Sequence, residues 1–118
     1  YYIMEVKEYK GVAYFVTAYP DIQSISCYRC VSYYLMSSYL YYRKDKSVLS
    51  DTDFDVLCSR ILSEWKSIQH PHKKLVKRSA LEAGTGYSIK RYPTIVMSAA
   101  ERWYEEWQKE LAASEKNS

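Results

Sequence analysis

Several groups of side chains in the sequence have types and spacings that could do chemistry. Tyr41 and Tyr42 lie shortly before Asp51 and Asp55. An aromatic face can stack on a planar cationic ring, and carboxylates can accept ribose hydroxyl hydrogen bonds and complement the positive charge. The same acids have a simpler role. Ser50 can cap a helix, Asp53 three residues later makes a short variant of the capping box, and Asp51 suits the positive helix end, so Asp51 and Asp55 also read as capping and surface decoration. Cys27-Tyr28-Arg29-Cys30 has a Cys-x-x-Cys spacing. Redox centres present that spacing at the start of a helix after a strand, and zinc needs more ligands, so neither chemistry is expected inside a run that reads as continuous helix. His70 and His72 would need distant partners to bind a metal and are expected at a helix end and in a loop. Gly84-Thr85-Gly86 lacks the strand-before-helix context of a phosphate loop and is expected to be an ordinary turn. From Lys66 to Arg91 seven Lys/Arg residues stand against Glu82 alone. Of these, Lys73, Lys74, Lys77, Arg78, Lys90 and Arg91, with Tyr87 and Tyr92 nearby, are the candidates for contact with a nucleic-acid backbone, although such runs are more often a solvated face.

The elements that must position these residues follow from periodicity and punctuation. Val6 to Tyr9 and Val12 to Thr17 are rich in β-branched and aromatic residues around Lys10-Gly11, which predicts a short hairpin, with a single strand as the alternative. After Pro20-Asp21 no Gly or Pro occurs up to about Lys44, and Ile22, Ile25, Val31, Leu35, Tyr39 and Tyr42 recur at helical spacing, predicting one long helix. Tyr39, Tyr41 and Tyr42 are then most simply a helix surface packed on other elements. A second helix starts after Ser50, with Phe54, Leu57, Cys58, Ile61, Leu62, Trp65 and Ile68 as its apolar stripe, and His70-Pro71 stops it. A basic connector, a turn over Ala83 to Tyr87, and a last helix opened by Tyr92-Pro93 complete the chain. Val96, Ala100, Trp103, Tyr104, Trp107 and Leu111 share one face of that helix.

At 118 residues the chain suits one domain, expected over residues 4–114 with a frayed tail at 115–118; Tyr1 to Ile3 precede Met4, which could be the natural start after a cloning remnant, and are set aside. A hydrophobic fraction of 47% with 26% charged residues excludes general disorder. Three cysteines, an odd number, argue against a disulfide framework and for a reducing cytoplasm. No stretch approaches the roughly 20 apolar residues of a membrane span, so no membrane partner is expected. The net charge of +3 is too small to imply nucleic acid by itself. Fourteen tyrosines are the compositional anomaly, suiting a half-buried core or a recognition surface.

The stretch from Tyr39 through Tyr41-Tyr42-Arg43-Lys44-Asp45 and Ser50-Asp51-Thr52-Asp53-Phe54-Asp55 resembles the signature joining two helices in the first, nicotinamide-mononucleotide-recognising (Ia) domain of NAD-dependent DNA ligases. The resemblance continues ungapped to His70-Pro71, and it implies an antiparallel helix pair. Carried over by position, Tyr41, Tyr42, Asp51 and Asp55 are the candidates to hold the nicotinamide half of NAD. Tyr42 stands where His is common, Phe54 replaces the usual Tyr, and Lys46-Ser47 interrupts the usual Asp-x-Pro turn. The sequence contains no Lys-x-Asp-Gly motif for the nucleophilic lysine and has no room for the remaining ligase domains, so a ligase reaction is not expected.

The expected fold is mainly α (α+β): an N-terminal β-hairpin, the antiparallel pair, and a C-terminal helix packed across it through Trp103 and Trp107. The expected function is a non-enzymatic protein-interaction module without a cofactor or metal. Compact orphan domains of this kind resemble bacteriophage products, which suggests an inhibitor or modulator of a host nucleic-acid or defence enzyme. The alternatives are a binder of NAD, nicotinamide mononucleotide or a related nucleotide, and a DNA-binding accessory protein.

Overall fold

The first helix starts where the chain supplies a cap rather than where its apolar period begins. The computed structural model describes the backbone of residues 3–9, 12–17 and 19–116 and the side chains of residues 19–113. Asp21 closes a turn on itself: its carboxylate accepts from the Ser24 hydroxyl (2.7 Å) and the Gln23 amide (3.2 Å), and its carbonyl accepts from the amides of Ser24 and Ile25. Such a local side-chain turn competes with helix, so the expected start near Ile22 is corrected to Cys27. Ser26 then caps helix α1 (Cys27–Lys44), its hydroxyl accepting from the Arg29 amide at 3.2 Å. Arg43 and Lys44 complement the negative end. Asp45, with φ 54°, turns the chain out of the helix while the Lys46 amide reaches back to the Leu40 carbonyl at 2.9 Å.

Helix α2 (Asp51–Ser63) begins as its cap predicts, with the Ser50 hydroxyl accepting from the Asp53 amide at 3.1 Å. The Asp53 carboxylate does not complete a capping box; it accepts from the Tyr19 hydroxyl. α2 ends earlier than its stripe suggests. The Ser63 and Ser67 hydroxyls donate to the carbonyls of Arg60 and Glu64, at 2.9 and 3.0 Å, and residues 64–67 continue as turns before His70-Pro71. Cys27 at the start of α1 lies beside Arg60 near the end of α2, and Tyr34 stacks on Phe54 near its start at 5.4 Å. The two helices are therefore antiparallel.

The basic connector is more structured than expected. It holds a single 3-10 turn, Lys73–Leu75, and a short helix, α3 (Arg78–Ala83). Lys77 gives α3 no side-chain cap and its first turn carries no acid, so this helix depends on burying Ala80 and Leu81 and on Gly84, whose φ of 71° ends it. Helix α4 (Thr94–Lys116) follows Pro93, whose carbonyl accepts from Val96 and Met97. It buries Val96, Ala99, Ala100 and Trp103, and Trp103 meets Tyr33 of α1 edge-on at 5.1 Å. α4 lies on α1 while α3 lies on α2, so the pair is flanked and not crossed as expected. Trp107 is only partly buried against this core.

Two further segments, β1 (Ile3–Tyr9) and β2 (Val12–Thr17), pair antiparallel with Val6 opposite Phe15 and Glu8 opposite Ala13. The predicted Lys10-Gly11 turn and Tyr1-Tyr2 lie outside the described residues, as does the end of the tail at 117–118. The chain is mainly helical, and among the described residues no helix is long and apolar enough to cross a membrane.

Trp103 is 0% exposed, so Trp103→Ala should cost about 3–5 kcal/mol in urea unfolding. Ser50→Ala should cost only about 1 kcal/mol. A Trp103→Ala loss no larger than the cap's would mean that α4 does not close the core.

Candidate functional site

α1 ends and α2 begins at the same end of the pair, and the connector between them folds inward on Val48 and Leu49, both buried. This convergence leaves a hollow of ≈ 150 Å³. Tyr41 and Tyr42 from α1, Ser47 to Leu49 from the connector, Asp51 and Phe54 from α2, and Gly84 after α3 line it. Ser37, one helical turn before Tyr41, also lines it; its hydroxyl is shielded from water and has no hydrogen-bond partner among the described residues.

The fourth wall is the turn after α3, held by its own backbone and by two tyrosines. The Thr85 amide returns to the Ala80 carbonyl at 3.0 Å. The Thr85 carbonyl accepts from the buried Tyr34 hydroxyl at 2.6 Å, and its hydroxyl pairs with that of Tyr42 at 2.7 Å. The same Thr85 hydroxyl oxygen accepts from the Tyr87 amide at 3.0 Å. Burial raises the Tyr34 hydroxyl pKa far above its ordinary value, which keeps it a neutral donor. Gly86 is packed so closely that a Cβ there would lie 2.0 Å from the Ser38 hydroxyl oxygen. A Cβ on Gly84 would lie 3.0 Å from a carboxylate oxygen of Asp55.

Two lining tyrosines, Tyr41 and Tyr42, are joined on the surface by Tyr87. Tyr41 and Tyr42 meet edge-to-face with centroids 4.9 Å apart, and Tyr42 meets Tyr87 at 5.8 Å. They are 59%, 37% and 73% exposed for Tyr41, Tyr42 and Tyr87. The structure thus brings Tyr41, Tyr42 and Asp51 into one hollow, with the exposed Asp55 just outside it against Gly84. Tyr39 is not part of this surface: it is buried, edge-on to Tyr92 at 5.4 Å, and its hydroxyl donates to Glu101 at 3.3 Å. Sequence reasoning missed Ser37, took Thr85 only as part of a turn, and grouped Tyr87 with the basic run. The available signal was two glycines one residue apart followed by tyrosine, which marks a backbone pressed against another element.

The basic candidates do not gather at this hollow. The Lys73 ammonium donates to the Trp65 and Ile68 carbonyls, caps the end of the α2 segment and lies 4.7 Å over the Trp65 ring. Lys74, Lys77, Arg78, Lys90 and Arg91 are exposed. Lys90 adjoins Arg43, which donates to its carbonyl, whereas Lys73 and Lys74 come shortly after His70, which pairs with Ser32. Ser32 and Arg43 are separated by about 16 Å of helix, so the basic run spans the pair.

Ser32 and His70 form a buried pair at 2.9 Å. The His70 Nδ1 accepts from the His72 amide at 3.0 Å, which puts the ring proton on Nε2 and makes it the donor to Ser32. In that tautomer the ring cannot take the serine proton, so the pair is structural rather than nucleophilic. A wider hollow of ≈ 890 Å³ over residues 19–26 also contains acids, but Asp21 is bonded to Ser24 and Gln23, and Asp53 to Tyr19. Among the described residues no three His, Cys, Asp or Glu side chains converge on a metal position.

The fold and site therefore define a small mainly helical domain with a tyrosine-rimmed hollow. No family model matches the chain, and no curated protein and no solved structure matches it.

Burial, then His72, pulls the His70 pKa from 6.5 down to about 4, and burial, then Lys74, lowers that of His72. The folded state therefore favours neutral imidazole. The stabilisation is full above the unfolded pKa of 6.5 and is lost as pH falls toward 4. For His70 it is on the order of 3 kcal/mol at most. The urea midpoint should fall between pH 6.5 and 4.5 in the wild type and fall less in His70→Gln; parallel curves would sink the assignment. Gly86→Ala should cost about 1–3 kcal/mol through overpacking, with Tyr87 fluorescence or NMR shifts reporting the displaced turn.

Proposed function

We propose that this domain is a non-catalytic protein-binding module whose contact surface is the tyrosine-rimmed hollow between α1, α2 and the 84–87 turn. The observation that carries the reading is the coincidence of three exposed tyrosines, Tyr41 and Tyr87 each in contact with Tyr42, with a hollow sized for one side chain. Tyrosine gives a large contact area at a small loss of rotamer freedom, and clustered aromatic anchors dominate interface energies. Asp51 in the wall and Asp55 beside it favour a cationic tip, so the partner inserts lysine or arginine. On this reading the chain is a phage-type inhibitor or modulator acting on a host nucleic-acid or defence enzyme in the cytoplasm, a role suggested by its compactness and by the sequence resemblance of its helix pair to the ligase Ia domain.

A second reading rests on the same lining: nicotinamide mononucleotide, NAD or a related nucleotide could place its cationic ring between Tyr41 and Asp51. The hollow of ≈ 150 Å³ falls below the roughly 300–1,000 Å³ typical of small-molecule sites, so it is the weaker reading. A DNA-binding accessory role is weaker again, because Lys73 is engaged within the fold.

Calorimetry with NAD and with nicotinamide mononucleotide should give no saturable heat at micromolar concentration. Heat that vanishes in both Asp51→Ala and Asp55→Ala would replace the protein-binding reading with the nucleotide one. Immobilised protein should retain a partner from host extract that a Tyr41→Ser, Tyr87→Ser double variant retains at least about tenfold less, at unchanged thermal melting. Retention that falls steeply with salt and is removed by nuclease would point to DNA instead.

A further inference from the structure

We propose that Cys27 and Cys30 are a redox-responsive dithiol that closes to an intramolecular disulfide by exchange with a small-molecule disulfide of the glutathione class. The corrected start of α1 makes this possible: Cys27 is the first residue of the helix after the Ser26 cap, and Cys30 lies one turn on. Cα atoms at that helical spacing are about 5 Å apart, within the roughly 4.4–6.8 Å a disulfide spans.

Two independent features of the surroundings suit exchange. Arg60 of α2 touches both thiols: its guanidinium donates to the Cys30 sulfur at 3.3 Å and to the Cys27 sulfur at 3.8 Å. A guanidinium beside the two sulfurs complements the negative charge that sulfur carries during exchange. The two sulfurs also differ in access. Cys27 is partly exposed and lines a shallow surface hollow of ≈ 450 Å³ with Tyr28, Glu64, Ser67, Ile68 and Gln69, whereas Cys30 lies behind it with 0% exposure. The accessible sulfur attacks and the shielded one resolves. Burial, opposed by Arg60, pushes the Cys30 thiol up to about 11, which fits a group that reacts only with an adjacent mixed disulfide. Cys58 is 2% exposed, and burial, then Asp55, pushes its thiol to about 12, leaving it outside the chemistry.

The steps balance. The Cys27 thiolate attacks one sulfur of oxidised glutathione, the S–S bond breaks, and one glutathione thiolate leaves and takes up the Cys27 proton. The Cys30 sulfur, losing its proton, then attacks the Cys27 sulfur of the mixed disulfide and expels the second glutathione, which is protonated. The chain loses two electrons and two protons, and one oxidised glutathione becomes two reduced ones. Closure also removes the thiols as acceptors for Arg60, which in the dithiol form holds the Ile22 carbonyl at 2.9 Å.

The test is mass spectrometry of the folded protein after incubation with a graded ratio of oxidised to reduced glutathione, quenched in acid. The wild type should become two hydrogens lighter, and peptide mapping should place the bond between Cys27 and Cys30 with Cys58 free. Cys30→Ser should stop as a glutathione adduct on Cys27. Arg60→Gln, checked for an unchanged circular dichroism spectrum, should slow closure, because the cation that touches both sulfurs is gone. A wild type that stays reduced, accumulates a stable glutathione adduct, or pairs through Cys58 would overturn the proposal, whatever the fate of the variants.

Discussion

Ten residues between Cys30 and Leu40 of α1 are withdrawn from water, and covering them is the constraint that organises the domain. A helix buried on one face can be served by one neighbour. This one includes Tyr33, Tyr34, Leu35 and Met36 in succession, so opposite faces are buried and two separate partners are required. α2 covers one side and α4 the other, through Phe54 on Tyr34 and Trp103 on Tyr33. The polar groups carried inward by this arrangement are mostly answered: the Tyr34 hydroxyl by the Thr85 carbonyl, and Ser32 by His70. The position of the 84–87 turn, and hence the back wall of the hollow, is set by where the Tyr34 hydroxyl must find an acceptor.

This constraint explains what could and could not be read from the chain. The start of α2 was legible because the Ser50 cap acts locally, and the start of α4 because Pro93 does. The start of α1 was not. Ile22 and Ile25 are three residues apart, as on one helix face, but the Asp21 turn and the Ser26 cap outweigh periodicity over so short a stretch. α3 was hidden because six residues give too little period and Lys77 and Arg78 are unfavourable at a helix N-terminus. Its formation is a tertiary effect, visible only once α2 is there to cover Ala80 and Leu81.

The candidate site was half legible for the same reason. Tyr41, Tyr42 and Asp51 stand close in sequence, and the connector between two antiparallel helices keeps them close in space. Thr85 and Tyr87 come from far along the chain: Thr85 is held by Tyr34, a residue that periodicity marks only as interior, and Tyr87 packs on Tyr42. Phe54, which lacks the hydroxyl expected from the ligase resemblance, has its ring stacked on Tyr34 and serves as wall. The basic run looked like one feature in sequence, but Lys73 turns onto the end of α2 and Lys90 sits beside Arg43, so linear charge density overstates the local field.

The enclosure of α1 also ranks the parts of the domain by how readily they open. Its amides between Cys30 and Leu40 can exchange with solvent only when α2 and α4 both leave, which makes them reporters of global unfolding. The rim of the hollow is different: α3 is six residues long, and the turn beyond it is held by Thr85 and by Gly86 seated on Ser38. Opening that segment would leave α2 and α4 on the central helix but would strip the buried Tyr34 hydroxyl of its Thr85 acceptor and uncover Leu81. The shape of the hollow is therefore tied to the core: its back wall cannot shift without leaving a buried hydroxyl unanswered.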